Sequence, residues 1–189
     1  MNKDLIEFMD IKIKTQEGLI YVWFDESSSH KRNDGLSKSE VEKKEVKRKI
    51  KDLYPTAVLE HEENGAPILK NTVYPSISIS HFRGWYALYF SDKTNGIDLQ
   101  TFKKTLLKGK DYFVNSKDEE LPLTELHLHL IWSAKEAFYK KKKGNIQDLK
   151  NDVSIKEINF KTELVSLESE GLIEYLNFQV FQDFVLVWT

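Results

Sequence analysis

The sequence predicts an α+β fold built from two similar halves, each a helix packed on a small antiparallel sheet, with residues 1–95 forming the N-terminal half and 96–189 the C-terminal half. Three observations carry this. Two amphipathic helical stretches stand far apart, one opening at Ser37 and one near Pro122. Each is followed by a series of short β-rich segments separated by turn signals. A hydrophobic content of 40%, with 12% aromatic residues, is enough for a real core in a chain of 189 residues. The two halves repeat in element order only, without convincing sequence identity.

The elements follow in order. Gly18 precedes LIYVWF, rich in β-branched and aromatic residues, which ends in the polar stretch DESSSHKRNDG at 25–35, read as a loop. Ser37 with Glu40 three places on is a capping box, so a helix starts there and stops before Pro55, burying Val41, Val46, Ile50 and Leu53. Over 57–100 the pattern changes to AVLEH, the turn ENGAP, then ISIS, WYALYF and NGIDLQ, which reads as a meander. Residues 101–110 read as helical and 111–122 as a polar link. Pro122 then opens the helix TELHLHLIWSAKEAFYKKKK, which Gly144 stops. VSIKEINF, LIEYLNFQV and DFVLVW close the chain as strands.

Composition removes several function classes. Twenty-eight Lys and Arg against 30 Asp and Glu give a net charge of -2, which does not mark the chain as a whole as a nucleic-acid binder. Basic charge is local, in KKEVKRKIK at 43–51 and KEAFYKKKK at 135–143, while acid gathers in EHEE at 60–63 and DEE at 118–120. Such polarity suits an anionic ligand or partner, or simply solvated helix faces. Without cysteine there are no disulfides, thiolate metal sites or cysteine nucleophiles. No apolar stretch approaches the roughly 20 residues that span a bilayer, and MNKDLIEFMD lacks a signal-peptide pattern, so the expected location is cytoplasmic.

Three stretches hold candidate chemistry. In a strand through GIDLQ, Ile97 and Leu99 share one face while Asp98 and Gln100 share the other; alone, this also fits a turn-forming aspartate beside glycine. On the second helix, His129, Ser133, Glu136, Lys140 and Lys143 form one stripe and Leu130, Ile131, Ala134, Ala137 and Phe138 the apolar one. Alone, this is also an amphipathic helix with a Glu136–Lys140 surface pair worth about 0.3–0.5 kcal/mol. In PSISISHFRGWYALYF, Ser76, Ser78 and Ser80 alternate onto one face, and His81 and Arg83 near the chain turn offer a phosphate contact or a plain half-exposed strand end. His127 and His129, two apart on a helix, cannot share a metal, and His30 and His61 sit in stretches read as polar loops. Phosphate-loop, dinucleotide, nucleophile-elbow and zinc-protease signatures are all missing.

In order, ENGAPIL, ISISH, NGIDLQ and WSAKEAFYK resemble the 4'-phosphopantetheinyl transferase superfamily, whose members carry a GKP-like turn, an ISHS-like strand end, a GIDIE-like strand and a WSxKEAxxK-like helix at comparable separations. The likeness runs from about residue 37 to about residue 160. It implies a compact single chain with a pseudo-twofold arrangement of its halves, monomeric, with its site in the cleft between them. It also implies transfer of the phosphopantetheine arm of coenzyme A to a serine of an acyl or peptidyl carrier protein, with magnesium required and 3',5'-ADP released. A relative that binds carrier protein or coenzyme A without transfer is the alternative.

By that resemblance Asp98 and Glu136 are the metal-binding acids, and Gln100 occupies a third coordination position where many members have an acid. Lys135 and Lys140 lie near the pyrophosphate and stabilise or protonate the departing oxygen, while Glu136, or a water it holds, takes the serine proton. Ser80, His81 and Pro67 contact coenzyme A, Arg48 reaches its 3'-phosphate, and the lysine run 140–143 docks an acidic carrier. The sequence departs from the family's pattern at Gln100, at Ala66 in place of the turn lysine, and at Phe82 in place of the second serine. A linking glutamate is expected at Glu119 or Glu120.

Overall fold

The protein is described from a computed structural model covering residues 10–26 and 37–189. The first nine residues, where no signal-peptide pattern is read, His30 and all but the first two residues of the loop expected at 25–35 lie outside the described residues. The chain divides into two compact units, Met1–Thr94 and Asn95–Thr189, each an α+β structure with its own antiparallel sheet.

The first unit contains β1 (Ile11–Lys14), β2 (Gly18–Phe24), α1 (Lys38–Leu53), β3 (Val58–His61), β4 (Pro67–Lys70), β5 (Ser76–Phe82) and β6 (Trp85–Ser91). Its sheet runs β1-β2-β6-β5-β4-β3. Helix α1 starts with the expected capping box: the Ser37 hydroxyl accepts from the Glu40 amide, and the Glu40 carboxylate accepts from the Ser37 amide at 2.8 Å. Val46 and Ile50 pack on Trp23, Ile77, Tyr86, Leu88 and Phe90. Val41 is only half-buried, and Glu42 and Lys49 are buried beside the core instead. Lys49 can be there because its ammonium lies 2.6 Å from Asp10 and 5.1 Å from the centre of the Trp23 ring.

The second unit contains β7 (Ile97–Thr101), α2 (Thr105–Lys108), 3₁₀ turns at Lys110–Tyr112 and Asp118–Glu120, α3 (Glu125–Lys141), β8 (Val153–Asn159), β9 (Leu164–Ser169), β10 (Leu172–Val180) and β11 (Phe184–Trp188). Its sheet runs β7-β11-β10-β9-β8. Leu128, Ile131, Ala134, Ala137 and Phe138 of α3 share one core with Val153, Ile155, Val165, Leu167, Leu176, Phe178, Val185 and Val187. Thr124 caps α3 by accepting from the His127 amide, so Pro122 stands before the cap rather than inside the helix.

Both units follow one plan. A strand (β2 or β7) leads to a helix (α1 or α3) and then to a four-stranded meander (β3–β6 or β8–β11) whose last strand returns beside the first. NGIDLQ therefore belongs to the second sheet, where β7 pairs with the C-terminal strand β11, and not to the preceding meander. β1, β4 and β9 are strands absent from the sequence reading, with Pro67 and His61 paired across β3 and β4 rather than lying in loops. The helix expected over 101–110 shrinks to Thr105–Lys108, because Thr101 still pairs with Phe184 in the sheet. Among the described residues no helix is long and apolar enough to cross a membrane.

Candidate functional site

β7 forms one edge of the second sheet and packs against the C-terminal half of α3. Gly96, just before it, makes this close approach possible: a Cβ there would collide with the Ala137 carbonyl and come within 2.8 Å of the Lys141 amide nitrogen. In the antiparallel register Asp98 sits opposite Val187 and Gln100 opposite Val185, two valines of the α3 core. Asp98 and Gln100 thus share the helix-facing side, while Ile97, Leu99 and Thr101 point the other way. Both sides are buried.

A carboxylate placed on such a face needs a cation. Lys140 supplies one, its Nζ 2.8 Å from Asp98 Oδ1 and 2.9 Å from the Ile97 carbonyl oxygen. Glu136 lies one turn back on the same helix face. Burial pushes its carboxyl above the usual glutamate range; the charge of Asp98 adds to the shift and Lys140 offsets part of it. Asp98, Glu136 and Lys140 therefore act on one another as a single electrostatic site.

Gln100 and Ser133 occupy the stretch of strand and helix between this cluster and a second anchor, where His129 Nε2 accepts from the Lys103 amide at 3.1 Å and Nδ1 faces the Glu125 carbonyl at 2.7 Å. That pair of bonds fixes the tautomer with the proton on Nδ1, so His129 holds β7's exit to α3. Gln100 Nε2 and Ser133 Oγ are buried polar atoms with no hydrogen-bond partner. The amide of Gln100 carries both an N–H donor, which suits a phosphate oxygen, and an oxygen, which suits a metal.

Lys135 does not join this group. It is fully buried, and its ammonium donates to Asp118 Oδ2 at 2.6 Å, to the Phe113 carbonyl at 2.8 Å and to the Lys150 carbonyl at 3.1 Å. All three donors are engaged, which leaves none for a pyrophosphate. Burial lowers its pKa below the usual lysine range, and Asp118 pulls back against that. Asp118, also fully buried, further accepts from the amides of Asn115 and Ile155. The buried, ion-paired acid of the link is therefore Asp118, whereas Glu119 and Glu120 are exposed. The sequence reading names only Glu119 and Glu120 here; what it cannot show is that the side-chain oxygen of Asn115, accepting from the Lys117 and Asp118 amides, bends the chain around Asp118.

The first-unit candidates lie on three elements of that unit, Arg48 on α1, Pro67 on β4, and Ser80 and His81 on β5. Ser80 sits opposite Ala87 and is buried, while His81, next along the strand, points to the α1 side and is exposed. Its Nδ1 lies 3.5 Å from Glu42 Oε1. Arg48 is gripped by Glu45 at 2.6 Å and Asp52 at 2.6 Å, and its hydrogen bonds to Glu45 hold the guanidinium above the usual arginine range. Pro67 begins β4 opposite His61.

Among the described residues no three histidine or acidic side chains gather as a metal cluster. Asp98 and Glu136 do present two carboxylates to one another's field, and magnesium asks for no more than one or two, with substrate oxygens and water completing its shell. The chemistry of the acid pair fits such an ion, and the buried amide of Gln100 lies on the same face of β7 as Asp98. No protein-family model matches the chain, and no curated protein is significantly similar to it.

Proposed function

We propose that the chain is a magnesium-dependent 4'-phosphopantetheinyl transferase of the compact, pseudo-twofold type, acting on a serine of an acyl or peptidyl carrier protein. The observation that carries this reading is the clustering of Asp98, Glu136 and Lys140 on one face of α3, within the two motifs that most resemble that superfamily. The shared plan of the two units agrees with it. Asp98 and Glu136 would hold the metal, whose chemistry when bound is to neutralise charge on the leaving phosphate.

In the proposed reaction the serine oxygen forms a bond to the phosphorus that carries the pantetheine arm, and the bond from that phosphorus to the oxygen of 3',5'-ADP breaks. In this reading Glu136, or a water it holds, takes the serine proton. Lys140 is the cation available to the departing oxygen. Lys135 takes no part in these steps.

Incubation with coenzyme A, magnesium and an unmodified carrier protein should add the mass of the arm to the carrier and release 3',5'-ADP, and Asp98→Asn should abolish both. A panel of acidic carriers left unmodified by the folded chain would overturn the reading. The ammonium already on Asp98 and the amide at Gln100 favour one second reading, a relative that binds coenzyme A or carrier without transfer. That reading predicts binding without turnover, with transfer gained in Gln100→Glu.

A further inference from the structure

We infer that Lys140 is an internal counter-cation that competes with a divalent metal for Asp98, so that the site keeps its acids in place without metal and gives up that ion pair when metal binds. The inference rests on the metal role assigned above to Asp98 and Glu136. Lys140 Nζ stands where a cation ligated by Asp98 would exert its charge, 2.8 Å from Oδ1, and the Ile97 carbonyl at 2.9 Å steadies it there. An ammonium and a divalent ion cannot both approach one carboxylate oxygen without mutual repulsion, so each weakens the other's hold.

The neighbouring lysines do not substitute for it. Lys141 lies 2.5 Å from Glu174 Oε2 and Lys142 3.4 Å from Glu174 Oε1, which commits both to β10. Lys135 is committed to Asp118. Lys140 is also the one of these ion pairs that joins a nearly buried acid, 9% exposed, to a cation whose side chain remains 26% exposed. Its flexible stem can leave Asp98 for solvent or for a phosphate without unpacking the core.

The test is metal binding, not turnover. Mn²⁺ alone is titrated into the wild-type chain, Lys140→Met and Lys140→Arg, followed by the electron paramagnetic resonance signal of free Mn²⁺. Removing one positive charge at contact distance should tighten Mn²⁺ binding by at least about tenfold in Lys140→Met, while Lys140→Arg should stay near wild type. Amine acetylation read by peptide mass spectrometry gives an independent signal: Lys140 should label severalfold faster with Mn²⁺ present. Equal or weaker binding in folded Lys140→Met, with wild-type binding intact, overturns the competition and leaves the metal site standing. Absence of Mn²⁺ binding in all three chains overturns the metal reading and this inference together.

Discussion

Replacing Lys135 by methionine is the sharpest test of the division of labour among the lysines. Methionine approximates the stem, so packing against the core changes little, and what disappears is the ammonium. Asp118 then remains fully buried as an uncompensated charge, with only the Asn115 and Ile155 amides to hold it. Removing one partner of a buried ion pair typically costs about 3–5 kcal/mol. The Lys150 carbonyl keeps the Asn115 side-chain donor, so losses at the carbonyls add little beyond Phe113. A loss of about 4 kcal/mol is a large share of the 5–15 kcal/mol that holds a typical domain together.

Urea unfolding read by tryptophan fluorescence measures this, with Trp132 well placed because its ring packs 5.2 Å from Phe113. For a urea slope of about 2 kcal/mol/M, the midpoint should fall by about 2 M. The double variant Lys135→Met/Asp118→Asn should recover at least about 1 kcal/mol, since no unpaired charge remains. A single variant within about 1 kcal/mol of wild type, or a double variant no better than the single, would refute the reasoning.

Two further outcomes are expected. Because the folded pKa of Glu136 lies above its unfolded value of 4.5, the metal-free protein gains stability from the bound proton below that value and loses it as pH rises through the folded pKa. Glu136→Gln, which cannot ionise, should therefore melt close to wild type near about pH 4 and above it near about pH 7 in the presence of a chelator; a gap that does not grow with pH would contradict this. Gly96→Ala forces a methyl group into the backbone of α3 at Ala137, and should destabilise the protein by about 1–3 kcal/mol or more in thermal unfolding; a melting curve unchanged from wild type would contradict the close approach.

The helices were legible because their starts carry local chemistry: Ser37 with Glu40, and Thr124 after Pro122. The missed strands had weaker signals. IKIK and PILK are four residues each, too short for alternation to stand out, and their pairing partners decide them. β9 was hidden by its turn. Glu170 and Gly171 both take positive φ, 53° and 76°, the geometry of a two-residue hairpin, as do Arg83 and Gly84 between β5 and β6. Glutamate and arginine are poor markers of that conformation, so only the glycine of each pair was visible in the sequence.

Within α3 the grouping of Glu136 with Lys140 follows helix phase, and the grouping of Lys135 with Lys140 does not. At 3.6 residues per turn, Glu136 and Lys140 lie about 40° apart around α3, but Lys135 and Lys140 lie about 140° apart, so the two lysines could not reach one pyrophosphate from one helix. The structure gives each cation of α3 its own acid on a different element: Lys135 with Asp118 of the link, Lys140 with Asp98 of β7, Lys141 with Glu174 of β10. Three such ties in three directions fix the rotation of the helix about its axis, and that rotation keeps Glu136 within the field of Asp98. Lys135 is sealed at 0% exposure and so serves as the permanent tie, whereas Lys140, part-exposed on a carboxylate, is the tie that the proposed metal would exchange.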